Sequence, residues 1–227
     1  MSTDSRRSAL AESALVAGLI WGLHALMRAL GAPVALGAMA TILTLFVCTW
    51  LLHRRATSWN SLGMGRITHY GRTVAWSLGL FVVQMVVPAL LTGPVANALG
   101  LQPQRMDAFA HMHGNLAMYL VMLIPVGWGV AAFGEEMVYR GFIFRRLMYA
   151  FGGKFLEVAA ALVSQTILFA IGHLYLGPRG VLNAGMVGLI SGGAYLANGR
   201  TLWPLIIAHG LVDSVGLTAL YLGVAHG

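Results

Sequence analysis

The stretch Phe133-Gly134-Glu135-Glu136-Met137-Val138-Tyr139-Arg140-Gly141-Phe142 sets two adjacent carboxylates and an arginine inside a run otherwise suited to lipid. A charged side chain at the centre of a bilayer costs about 3 kcal/mol on insertion scales, and more in simulations. The chain has only 7 acidic residues, and two of them stand here. Packing alone does not justify that arrangement, so the acids point to a functional site with partners elsewhere in the chain.

Working outward, the flanking sequence is that of an integral membrane protein. Of 227 residues, 58% are hydrophobic and 9% charged, whereas about a quarter of a soluble domain is charged. The expected fold is all-α, a polytopic transmembrane bundle of seven or eight helices, because only helices or closed barrels satisfy every backbone polar group in hydrocarbon. Windows of about 20 apolar residues place spans at Leu10 to Leu30, Pro33 to Leu52, Thr73 to Ala96 and Leu116 to Phe133. A helix carrying the acids follows from Gly134 to Tyr149, then Phe155 to His173, Val181 to Asn198 and Leu202 to Leu222. Gly127 and Gly129 suggest a break between two of these helices. Residues 1–115 read as N-terminal spans and interfacial loops, and 116–227 as a catalytic helical core, within one membrane domain. The first span is too long for a secretory signal and reads as retained.

The net charge of +7 does not signal nucleic acid. The basic residues cluster between apolar runs, as at His53-Arg54-Arg55, Arg66 to Arg72 and Arg145-Arg146, which is the positive-inside pattern with contact to anionic headgroups. Counting Lys and Arg puts the N-terminus, the 56–71 loop and the 145–154 turn on the cytoplasmic side. The lone Cys48 permits neither an internal disulfide nor a cysteine metal site and reads as a core residue. The 56–71 segment reads as an interfacial loop or short amphipathic helix, and 99–114 as a water-loving loop over a cavity mouth, with His111 and His113 exposed. Ala184, Gly188 and Gly192, four apart, form a flat stripe for close helix approach.

Helical spacing then sorts the polar residues. Glu136 and Arg140 are four apart and pair on one face. Glu135 is turned about 100° away and stays free for chemistry. A turn at Gly152-Gly153 would fold the flanking helices into a hairpin, with Glu135 18 residues before Gly153 and His173 20 after it, so both come out at one depth and can share a water molecule. Phe169, one turn before His173, would cover the site. His209 and Asp213 share a face of the last helix. There Asp213 could fix the imidazole tautomer or act as a ligand or hydrogen-bonding group itself. His24 and Arg28, four apart, could line a lumen, but interfacial anchoring with the arginine snorkelling is the preferred reading. Glu12 reads as reaching the interface.

This set suits activation of water by Glu135 and His173, with His209 and Asp213 holding a carbonyl oxygen. It equally suits a divalent metal such as zinc held by His173, His209 and Glu135. The residues leave open whether there is no cofactor or a metal.

At these residues the chain resembles the CPBP group, also called ABI or CAAX-type proteases, which includes the type II CAAX prenyl endopeptidase. Glu135, Glu136 and Arg140, followed by Gly141, match its Glu-Glu-x-x-x-Arg motif. Phe169 and His173 match Phe-x-x-x-His, and His209 and Asp213 match His-x-x-x-Asn/Asp. Tyr139 stands where Phe is common, and Asp213 where prenyl-protein members have Asn. The resemblance covers about Leu116 to the C-terminus. It implies an intramembrane endopeptidase of glutamate or metallo type, acting on a membrane-anchored or lipidated peptide or protein. The implied catalytic residues are Glu135, His173, His209 and Asp213, supported by Glu136, Arg140 and Phe169. The expected location is a bacterial cytoplasmic (inner) membrane, with lipid and the substrate as partners and no nucleic acid. A proton-coupled transporter, which would also use intramembrane acids, and a non-catalytic immunity or binding protein on the same scaffold are the competing expectations.

Overall fold

A computed structural model describes residues 3–32 and 34–224. Pro33 and His226 lie outside the described residues. The chain runs through α1 (Thr3–Ala29), α2 (Val34–Arg54) and α3 (Tyr70–Ala98), then a long composite helix, then α6 (Phe155–Gly172), α7 (Gly177–Ala197) and α8 (Trp203–Leu222). Among the described residues seven helices are long and apolar enough to cross a membrane, and no strand is present. The protein is a multi-pass, all-α membrane protein. Residues 55–69 form a loop with a single 3-10 turn at Trp59–Leu62, and α3 takes up the last two residues of the expected 56–71 segment.

The composite helix corrects the expected break. Residues 116–151 form one continuous span. It begins as α4 (Leu116–Val121), continues from Met122 to Phe144 with π-type hydrogen bonding, and ends as α5 (Arg145–Phe151). Gly127, read as a breaker with Gly129, is instead a point of close approach, as are Gly134 and Gly141. A Cβ on Gly127 would lie 3.2 Å from Leu217, one on Gly134 2.9 Å from Thr41, and one on Gly141 3.1 Å from Leu202. The π segment, a form rare in soluble helices and frequent at functional sites, is thus clasped between α2 and α8.

Polar contacts tie the bundle together where apolar packing alone has little drive. Glu12 on α1 accepts hydrogen bonds from Arg55 at the end of α2 and Arg146 on α5. With its side chain only 13% exposed, it is a three-helix clamp rather than an interfacial group. Gln84 on α3 donates to Ser191 on α7 at 2.8 Å, and Gln165 on α6 donates to the Gly188 carbonyl at 3.0 Å. Gly188 lets α7 close on α6, since a Cβ there would meet Phe169 at 3.2 Å. Gly152 and Gly153, both at positive φ (126° and 83°), make the turn that returns α6 alongside the π segment, as the hairpin requires.

Candidate active site

The two adjacent glutamates part company. Glu136 turns into the protein and is completely buried, as is Arg140, whose Nη1 donates to Glu136 Oε1 at 2.8 Å. Glu135 faces a cavity of about 610 Å³. Among the described residues it has neither a hydrogen-bond nor an ion-pair partner, so its carboxylate is uncommitted.

The Arg140 guanidinium lies over the Phe169 ring, 4.3 Å from its centroid. That contact suits a cation whose Nε and Nη2 meet no protein acceptor. Tyr139 packs edge-on against the same ring at 5.1 Å, and the His173 imidazole lies 4.7 Å from it. Phe169 therefore does not cover the site. It is buried beneath it, off the cavity wall, and couples Arg140 on one helix to His173 at the end of another. His173 Nδ1 lies 2.9 Å from the Phe169 carbonyl oxygen. A carbonyl only accepts, so Nδ1 carries the proton and Nε2 of a neutral ring is left as the basic nitrogen.

The second imidazole is held differently from the sequence expectation. His209 Nδ1 lies 3.0 Å from Glu136 Oε1, and a carboxylate oxygen makes this nitrogen a donor. Asp213 Oδ2 stands 3.8 Å from His209 Nε2, beyond hydrogen-bond range. Glu136, not Asp213, orients His209, because the π segment brings Glu136 against α8 on the side away from the cavity. Asp213 keeps the other role open to it, that of a polar group on the cavity wall.

Glu135, His173, His209 and Asp213 all line the one cavity. So do residues that the sequence left aside. His24 and Arg28 lie on the wall, as do Thr41, Tyr139, Tyr175 and Asn183. The signal for His24 and Arg28 was present in their spacing of four within an apolar span. Asn183 was signalled as an amide in an apolar run, and it accepts from Thr92 at 3.2 Å. Gln104 and Phe109 of the 99–114 loop complete the mouth. His111 and His113 are exposed and away from it.

Among the described residues no three His, Cys, Asp or Glu side chains are grouped so as to hold a metal ion. His209 commits Nδ1 to Glu136, which leaves Nε2 as its remaining ring nitrogen.

Seven membrane-spanning helices around an intramembrane pocket of acid and imidazole define a class of polytopic membrane proteins with hydrolase-like site chemistry. Residues 108–215 match the family model described as Type II CAAX prenyl endopeptidase Rce1-like. Every motif residue from Glu135 to Asp213 falls inside the matched segment, while α1 to α3 fall outside it. No curated protein and no solved structure matches the chain significantly. The family points to CAAX-type intramembrane protease activity.

Proposed function

We propose that the protein is an intramembrane endopeptidase of a bacterial cytoplasmic membrane that hydrolyses a peptide bond in a membrane-associated or lipidated polypeptide, using water activated by Glu135 and His173. The observation that carries this reading is the gathering of an uncommitted carboxylate and two oriented imidazoles on one cavity within the bilayer span. Glu135 takes a proton from water, assisted by the basic Nε2 of His173, and the water oxygen attacks the scissile carbonyl carbon. The carbonyl oxygen becomes an oxyanion. His209, as an imidazolium with Nδ1–H on Glu136 and Nε2–H donating to the oxyanion, stabilises it, with Asp213 as its polar neighbour. The C–N bond then breaks as Glu135 returns its proton to the leaving nitrogen, releasing a carboxylic acid and an amine, between which the acid's proton then passes to give a carboxylate and an ammonium.

The buried Glu136–Arg140–Phe169 group has no part in proton transfer here; it fixes His209 and His173 in place. The test is cleavage of a membrane-anchored reporter peptide by purified protein in liposomes. Glu135→Gln and His173→Ala are each expected to abolish cleavage while the protein still inserts. Undiminished cleavage by either variant would refute the mechanism.

A further inference from the structure

The element order fixes which connections share a face of the membrane. The N-terminal end, the α2–α3 loop, the α5–α6 turn and the α7–α8 turn lie at one end of the bundle. Contacts confirm the grouping: Leu202 N donates to the Gly63 carbonyl at 3.0 Å, and Arg55 and Arg146 meet on Glu12. At the other end, Arg105 N donates to the Leu176 carbonyl at 2.9 Å and Gly114 N to the Tyr221 carbonyl at 3.0 Å. These bonds join the 99–114 loop to the far ends of α6 and α8.

The basic residues divide very unevenly between these faces. Arg6 and Arg7 lie on the first. Arg54, Arg55, Arg66 and Arg72 frame its long loop, Arg145, Arg146 and Lys154 its second turn, and Arg200 its third. Only Arg28, Arg105 and Arg179 belong to the opposite face, while Arg140 is buried in the core. A bias of ten to three in short connections sets orientation by the positive-inside rule, and the anionic cytoplasmic leaflet reinforces it.

The cavity has a definite sense with respect to that axis. From Glu135 its wall runs through His173, Tyr175 and Leu220 to Gly31, Gln104 and Ala108, all toward the arginine-poor face. In the other direction Phe142, Phe144, Leu202 and Leu205 are completely buried, and Tyr195 donates to the Leu62 carbonyl at 2.9 Å. That end of the bundle is a solid plug.

We infer that the cavity opens on the non-cytoplasmic face and takes its peptide from there: the substrate is a membrane-anchored polypeptide segment that has already been translocated. The step that must supply it is therefore a transmembrane export reaction, not a modification completed in the cytoplasm. The substrate half of this inference rests on the peptidase reading; the orientation half does not.

Single cysteines separate the two. Cys48 is buried, so the parent protein gives the labelling background. Asn60→Cys reports the arginine-rich face and Ala108→Cys the cavity mouth, both positions being exposed. With the protein in a bacterial inner membrane, a membrane-impermeant maleimide applied to intact spheroplasts is expected to label Ala108→Cys and to reach Asn60→Cys only after permeabilisation. The reverse pattern, or equal labelling of both from outside, would overturn the inference. Two reporters with the same scissile segment, displayed outside or inside, complete the test. Cleavage of the outward reporter alone is expected, and cleavage of the inward one alone would overturn the inference. Outside labelling of Ala108→Cys with neither reporter cut would refute the peptidase reading and the substrate half while upholding the orientation.

Discussion

Glu136 holds His209 across the bundle, Oε1 to Nδ1 at 3.0 Å, although the carboxylate itself does not line the cavity. The same oxygen accepts from Arg140 at 2.8 Å. One buried oxygen therefore serves as counter-charge for an arginine and as the orienting acceptor for an imidazole on a different helix.

The adjacent glutamates should respond differently to the same substitution. Glu136→Gln leaves Arg140 buried without its counter-charge, and breaking a buried pair costs about 3–5 kcal/mol. A marked fall in thermal stability in detergent micelles is expected. Glu135→Gln removes no bond in the structure, so stability should change by less than about 1 kcal/mol. Cleavage should nevertheless fall by about 10²–10⁴-fold, the range general acid–base catalysis contributes. Differential scanning fluorimetry beside a reporter assay checks both.

Asp213→Asn is expected to be mild. Because Asp213 does not hold the His209 ring, an uncharged amide in its place should keep cleavage within about tenfold, roughly 1.4 kcal/mol of barrier. His209→Ala should remove activity. If Asp213→Asn were as inactive as His209→Ala in the same kinetic assay, the assignment of orienting partner would be wrong.

Phe169→Leu keeps bulk but loses the face on which Arg140 rests. A cation–π contact that has lost its water is worth about 2 kcal/mol, so reduced stability is expected. Because His173 also packs on that ring, cleavage should drop beyond what the loss of folded protein explains. Kinetics normalised to folded protein would show it, and a normalised rate equal to the parent's would contradict the coupling.

Chelation should leave cleavage intact. On the proposed reading, in which Glu135 and His173 activate water, treatment with a strong divalent-metal chelator followed by dialysis is expected to preserve reporter hydrolysis. Loss of activity that zinc alone restores would reverse this conclusion.

Much of this was legible in the chain because α-helical spacing is local. Glu136 with Arg140 and the turn at Gly152-Gly153 follow from residues a few positions apart. The π segment did not, since i→i+5 bonding leaves no residue signature and its glycines resemble ordinary helix breakers. The Glu136–His209 bond joins positions 73 residues apart and depends on how α8 docks. The place of His24 and Arg28 was left between two readings for a related reason. Two polar residues four apart near a span end look the same whether they meet headgroups or a cavity, and only the neighbouring helices decide.

The distance in sequence between Glu136 and His209 has a consequence for biogenesis. When the helix bearing both glutamates leaves the ribosome, the imidazole that completes the pocket has yet to be synthesised. On the proposed peptidase reading, the nascent protein is chemically silent until its seventh span, α8, inserts, so neither the translocation machinery nor the unfinished chain would be cut during assembly.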